Sequence, residues 1–325
     1  VKKLDTFQTY LIEEFYDDYR EGMISRRTFI RRVAFITGSM AAAVAAMAAV
    51  GCQPIELPAA TDPVPPAETP TPAASGEQPT PVPTTPPQSP LSVAADDPAV
   101  RAGAVTFASQ DAEITGYLAE PAAEGVYPAV LVCHENRGLT PHIEDVARRF
   151  AKAGYVALAI DLLSREGGTA ANDRDAIPGL LTDAGAERHV ADFTAGFEYL
   201  RTLPTVDGER IGMTGYCFGG GITWRMATAL PELKAAVPFY GPAPDLEDVP
   251  NIQAAVFGVY AEQDERINAG LPPLQEALES AGITHQITVY PGVNHAFHND
   301  TGQRYVEEQA TQAWNDTLAW FAEYL

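Results

Sequence analysis

From residue 100 onward, short continuous apolar runs alternate with longer stretches whose apolar residues recur every three or four positions. Pro128–Cys133, Tyr155–Ile160, Arg210–Tyr216, Lys234–Tyr240, Gln253–Ala261 and His285–Tyr290 are runs of the first kind. They predict strands buried on both faces. Ala104–Ser109 and Ile114–Glu120 read as a short antiparallel pair. The intervening stretches predict helices. Thr140 stands at an N-cap with Pro141 in the first turn, Glu144 and Asp145 early, Arg148, Arg149 and Lys152 late, and Gly154 as the stop. Between 184 and 203, Val190, Phe193, Phe197 and Leu200 fall on one helical face. A last helix over 303–324 buries Trp314, Leu318 and Phe321. This alternation predicts an α/β domain over 100–325: a mostly parallel central sheet with helices on both faces. About 225 residues suffice for one such core. The segment Ser164–Leu180, rich in Gly, Asn and Asp, is the expected substrate-facing loop.

The first hundred residues break the pattern. Leu4–Tyr19 has helical spacing with acidic residues. Ser25-Arg26-Arg27-Thr28-Phe29-Ile30 resembles a twin-arginine export motif, and an uncharged, Ala-rich run of 18 residues, Val33–Val50, follows. Ala49-Val50-Gly51-Cys52 resembles a lipoprotein cleavage site, with Cys52 as the acylated residue and Ala49 where that pattern carries Leu. Residues 1–52 are therefore expected to be an export leader, leaving the protein lipid-anchored at the outer face of the cytoplasmic membrane. The alternative is an uncleaved N-terminal transmembrane anchor. Residues 53–99 are rich in Pro, Thr and Ala and have no apolar period, which predicts a disordered, extended spacer.

The formal charge is −22; residues 1–51 hold seven basic and six acidic residues, so the remainder carries −23. Such a surface argues against nucleic acid or an anionic membrane as partner. A small-molecule substrate, a monomer and membrane contact through the N-terminal anchor alone are expected. Three cysteines do not make a disulfide framework. Cys52 belongs to the lipid site, and Cys133 sits inside an apolar strand as a buried structural thiol.

The third, Cys217, lies at the apex of Gly215-Tyr216-Cys217-Phe218-Gly219, between a strand and a helix-compatible run. This is the nucleophile turn G-x-S-x-G with sulfur in place of oxygen. Unpaired N–H groups and the helix dipole there favour a thiolate and a developing oxyanion. Asp264 follows the strand 253–261 and His295 follows the strand 285–290, so acid and base come after the nucleophile in the required order. His295 is the expected base for Cys217, and Asp264 fixes its tautomer. Glu262 and Asp300 compete for the acid and His298 for the base, although His298 lies further from its strand end. His134, His142 and His189 show no metal-ligand pattern; no metal and no cofactor is expected.

Residues 100–325 resemble the dienelactone hydrolase family, which carries a Cys-Asp-His triad on an α/β-hydrolase fold. The matching stretches are Gly215–Gly220, Gln263-Asp264, Asn294-His295-Ala296-Phe297, His134-Glu135-Asn136-Arg137-Gly138 and Asp161-Leu162-Leu163-Ser164-Arg165. The resemblance implies hydrolysis of small esters or lactones, as by a carboxymethylenebutenolidase. It implies that Glu135 contacts the resting thiol and modulates its ionisation. The backbone N–H groups of Asn136 and Phe218 would form the oxyanion hole. Arg165 matches an Arg that binds the substrate carboxylate, while Asn299 stands where the family has a second such Arg; Arg137 is one loop over. A non-catalytic exported binding protein on the same fold is the alternative from another class, and a thioesterase or peptidase using the same thiol is the alternative among enzymes.

Overall fold

The computed structural model describes residues 4, 6–39, 42–43 and 89–325; Cys52 and most of the expected spacer lie outside the described residues. Eight strands form one sheet: β1 (Val100–Ser109), β2 (Ala112–Pro121), β3 (Tyr127–Cys133), β4 (Val156–Ile160), β5 (Val206–Tyr216), β6 (Ala235–Phe239), β7 (Ala255–Ala261) and β8 (His285–Tyr290). Their order is β1-β2-β4-β3-β5-β6-β7-β8. β1, β2 and β4 pair antiparallel, and every pair from β4 to β8 is parallel. β4, β6 and β7 are buried at every position, as continuous Val/Ala/Phe runs dictate, whereas the edge strands β1 and β8 are partly exposed.

The helices are α1 (Thr6–Arg20), α2 (Arg26–Thr37), α3 (Pro141–Lys152), α4 (Ile177–Ala184), α5 (Ala186–Thr202), α6 (Phe218–Ala229), the one-turn α7 (Glu265–Asn268), α8 (Leu271–Ala281) and α9 (Glu307–Tyr324). Phe150 of α3 packs on Trp314 and Phe321 of α9, with centroids 4.6 and 5.9 Å away. His189 of α5 meets Phe218 of α6 at 5.4 Å. The chain leaves β3 on one side to form β4, then returns to lay β5 on the other. The C-terminal ends of β3 and β5 therefore flank the topological switch point, where open α/β sheets bind ligands.

Two segments outside the expected domain pack on it. The spacer gives way to the fold well before residue 100. The Ser89 hydroxyl donates to Asp300 at 2.7 Å, and Val93 is buried, its N–H donating to Asp145 at 2.7 Å and its carbonyl accepting from Arg148 at 2.8 Å. The buried Asp145–Arg148–Arg149 group of α3 needs those polar partners. The N-terminal segment packs on the domain as well. Phe7, Tyr10, Leu11, Ile12 and Phe15 of α1 and Phe29, Val33 and Ile36 of α2 are buried. Each such side chain contributes about 1.5–3 kcal/mol when fully buried. Ser25 caps α2, accepting from the Thr28 N–H at 3.1 Å, and Arg26 and Arg27 are exposed in its first turn. Arg31 pairs with Asp173 at 2.6 Å and Arg32 with Asp175 at 3.1 Å, which docks α2 beside α4. Among the described residues no helix is long and apolar enough to cross a membrane.

Candidate active site

Cys217 is the residue between β5 and α6, and its backbone has φ 57° and ψ −119°. A non-glycine residue held there stores about 1–3 kcal/mol of strain. The flanking glycines allow it. A Cβ on Gly215 would overlap the Gly219 carbonyl, and one on Gly219 would strike the backbone of Cys133 and His134 at the end of β3. The Cys217 N–H is tied to the Phe239 carbonyl of β6 at 3.0 Å. Phe218 opens α6, so its N–H has no partner one turn back and faces the same end of the sheet. Asn136 lies on the loop that leaves β3, across the crevice.

Asp264 follows β7 and caps α7, accepting from the Ile267 N–H at 3.4 Å. Its carboxylate accepts from His295 Nδ1 at 2.5 Å. One ring nitrogen of His295 lies within 4.8 Å of Cys217 Sγ. The thiol, imidazole and carboxylate that the sequence singled out thus converge at the strand ends, all three buried. The competitors are elsewhere. Glu262 is exposed and accepts from the Gly292 N–H. Asp300 is enclosed by Ser89, His142 and Arg149. His298 is fully buried against the Tyr216 ring at 5.1 Å.

A residue that sequence reasoning missed completes the cluster. Glu14 of α1 presents both carboxylate oxygens to Cys217 Sγ at 3.4 Å, with Oε2 3.8 Å from His295 Nε2. The Asn136 side-chain amide donates to Glu14 Oε1 at 2.8 Å, and the Tyr10 hydroxyl lies 3.4 Å from Sγ. Glu135, expected at the thiol, accepts from Asn299 Nδ2 at 2.7 Å, and its charge joins that of Glu14 in pushing the Cys217 thiol up. Glu14 holds the contact with sulfur, and Asn299 holds Glu135. Arg165 is engaged away from the cavity. Its guanidinium is bound to Asp192 and Asp111, each at 2.9 Å, and to the Ser109 carbonyl at 3.1 Å. Asp192 is buried and cannot be left unpaired cheaply, so Arg165 is held at the β1–α5 junction and does not line the cavity.

That cavity, about 720 Å³, opens onto Cys217, His295, Glu14, Glu135 and Asn136. Thr169, Asn172, Arg174 and Ile177 form one wall, as expected of the 164–180 loop, and Arg137 and Arg304 supply positive charge.

Electrostatics follow from burial and these neighbours. Burial pushes the Cys217 thiol up, the Glu14 charge adds to the shift, and nearby His295 offsets part of it. Burial alone would lower His295, but the charges of Asp264 and Glu14 outweigh it and hold the imidazole proton well above the ordinary range. Both carboxyls lie below theirs: burial opposes ionisation, and His295 with Arg266 overcomes it. The site sets a thiol that burial disfavours as an anion beside an imidazole whose proton two carboxylates help to retain.

The dienelactone hydrolase family model matches residues 114–325. A curated protein of Methylorubrum extorquens named "Putative carboxymethylenebutenolidase" is 34% identical over 245 residues, covering 71% of this chain and 84% of that one. A protein of the same name from Synechocystis is 35% identical over 226 residues, 65% of this chain and 92% of its own length. The crystal structure of a "Putative Dienelactone Hydrolase" from Klebsiella pneumoniae superposes with a TM-score of 0.65 at 34% identity, covering 70% of this chain and all of the other. With the parallel sheet and its surrounding helices giving the α/β-hydrolase fold, the chain belongs to the dienelactone hydrolase family, a family of hydrolases.

Proposed function

We propose that the protein hydrolyses small esters or lactones through an acyl-enzyme on Cys217, with His295 and Asp264 as its partners. The supporting observation is the convergence of Cys217, His295 and Asp264 at the switch point, with the nucleophile on a strained turn. His295 takes the thiol proton through Nε2 while Asp264 holds Nδ1–H. Sulfur adds to the carbonyl carbon, and the oxyanion is received by the N–H groups of Phe218 and Asn136. Each such donor is worth about 3 kcal/mol at the transition state. The tetrahedral adduct expels the alcohol, which takes its proton from His295. Water, activated by the same imidazole, then releases the acid and restores the thiol.

Glu14 occupies the approach to sulfur, so the turnover-competent state has its carboxylate withdrawn. Withdrawal removes one of the two anions that keep His295 protonated, and the buried imidazole is then able to act as a base. Carboxymethylenebutenolide, the substrate in the relatives' name, is the first compound to test. The experiment is hydrolysis of that anionic lactone and of a neutral ester of similar size by the full chain, with Cys217→Ala beside it. Turnover that survives in Cys217→Ala would exclude the thiol mechanism. Absence of turnover on esters, thioesters and peptides alike would favour a binding protein on this fold.

We also infer export and lipid attachment at Cys52, supported by the Ser25–Ile30 pattern and the site around Cys52. Cleavage before Cys52 would take Glu14 away from the thiol; retention would leave it there. The mass of the protein purified from membranes decides between them. A mature chain that begins elsewhere than Cys52 and carries no lipid contradicts the inference.

A further inference from the structure

Three buried groups from distant parts of the chain meet at the thiol in a geometry that ester hydrolysis does not require. Glu14 Oε1 and Oε2 each lie 3.4 Å from Cys217 Sγ, and Oε2 lies 3.8 Å from His295 Nε2. One ligand atom from each residue lies within 4.8 Å of the other two. Tetrahedral zinc, bound at about 2.3 Å by sulfur and about 2.0–2.1 Å by nitrogen and oxygen, spaces its ligand atoms roughly 3.3–3.6 Å apart. Two sides of the triangle already match to within a few tenths of an ångström.

The environment of each ligand supports the same reading independently. His295 is 5% exposed, and its Nε2 has no hydrogen-bond partner among the described residues. Its Nδ1 is held by Asp264 at 2.5 Å, the arrangement that orients a metal-binding imidazole. Asn136 Nδ2 steadies Glu14 Oε1 at 2.8 Å, an outer partner for the second ligand. The adjoining cavity reaches all three residues, giving an ion its route and a water the fourth position.

We propose that, in the chain that still carries residues 1–51, Glu14, Cys217 and His295 form a site for a thiophilic divalent cation, with zinc the best fit, which shuts off the nucleophile and pins α1 over it. A thiolate with an imidazole and one carboxylate selects zinc over magnesium or calcium. Binding sends the thiol proton, and any proton on Nε2, to solvent; no electrons are transferred. The sulfur and Nε2 lone pairs are then both engaged, so metal binding and hydrolysis exclude each other. Ion binding does not depend on the hydrolase reading; only its inhibitory consequence does.

The test titrates the full chain, freed of metal, with Co²⁺ and then Zn²⁺ in a non-chelating buffer. One equivalent of Co²⁺ is expected to give near-ultraviolet thiolate-to-metal absorption that Zn²⁺ displaces. Zn²⁺ is expected to protect Cys217 from iodoacetamide and stop hydrolysis of p-nitrophenyl acetate, with EDTA reversing both. Glu14→Gln, which keeps side-chain size, should weaken Zn²⁺ binding by at least about tenfold. Absence of the thiolate band overturns the site, as does a Glu14→Gln protein that binds Zn²⁺ as tightly as the parent. Zinc binding by a protein that hydrolyses no ester leaves the site standing and sinks the hydrolase reading. Hydrolysis that continues unchanged in Zn²⁺ does the reverse.

Discussion

Glu14, one turn and a half from the end of the first helix, rests both carboxylate oxygens 3.4 Å from the sulfur of Cys217. That contact depends on one face of α1. Arg266 lies 4.7 Å over the Tyr10 ring and donates to Asp17 at 3.4 Å. Arg304 pairs with Asp18 at 2.9 Å and Glu21 at 2.7 Å. Phe7 meets Phe218 edge-to-face at 5.3 Å. The helix whose dipole faces the thiol and the helix that covers it are thus packed against each other.

Glu14→Gln removes a negative charge beside a group that must itself become negative. The thiol is expected to ionise at lower pH, and thiolate fraction changes about tenfold per pKa unit. Alkylation of Cys217 by iodoacetamide at neutral pH should therefore speed up by roughly three- to tenfold. A rate equal to or slower than the parent's would mean that Glu14 does not set the ionisation of the thiol.

Phe7→Ala addresses the docking of α1. The ring is 9% exposed, with the Arg225 guanidinium 4.0 Å above its centre. Losing such a side chain costs about 3 kcal/mol. Amide exchange along Thr6–Arg20 should accelerate by about two orders of magnitude while exchange in β5 and β6 holds. Equal acceleration in the sheet would show that α1 and the core open as one unit.

The sheet was legible because its strands are continuous apolar runs; β8 is bounded as expected at His285–Tyr290. The helix α4 was not, because Ile177–Ala184 carries Pro178 and Gly179 and reads as loop. Cys217, Asp264 and His295 were legible because each follows a strand, and strand ends share one edge of a parallel sheet. Glu14 was not, since 203 residues separate it from Cys217 and no local signature marks such a contact. The helical spacing of Leu4–Tyr19 was visible, but a two-faced helix does not say what it packs on. The setting of Arg165 was hidden for a related reason: sequence shows the guanidinium and not the buried Asp192 that holds it.

Asp264→Asn keeps the shape of the carboxylate and reverses the hydrogen bond it can make. The amide introduced in place of the carboxylate would present a donor to His295 Nδ1 and favour the wrong tautomer. Ester turnover should fall by about 10³–10⁴ with KM little changed, as loss of tautomer control does in triad enzymes. A drop confined to KM would instead give Asp264 a role in binding.

Acid stability turns on Asp300. Burial alone would raise its carboxyl, but the His142 hydrogen bond and the Arg149 charge outweigh it and hold the group well below the usual carboxylate range. A native value below the unfolded one stabilises the fold fully above the unfolded value of about 3.9. That contribution is lost progressively as pH falls below it towards the native value. Melting temperature should decline over this window, and Asp300→Asn should be less stable at pH 7 with a flatter acid limb. An unchanged slope in the variant would assign acid sensitivity to other carboxylates.

Recognition of an anionic substrate separates Arg165 from Arg137. Arg165 is bound to Asp192, whose side chain is 1% exposed, so Arg165→Ala strands a buried carboxylate. Breaking a buried pair on one side costs about 3–5 kcal/mol, and the 15% exposure of the Arg165 side chain places this case at the lower end. The variant should lose stability, yet keep the parent's ratio of kcat/KM for an anionic lactone over a neutral ester. Arg137 lines the cavity beside Glu135 and Cys217. Arg137→Ala should lower that ratio by roughly three- to tenfold with little change in melting temperature, as expected for loss of a charge partner at a partly solvated site. The opposite pattern, with the ratio collapsing in Arg165→Ala and holding in Arg137→Ala, would require Arg165 to leave Asp192 and swing into the cavity during turnover.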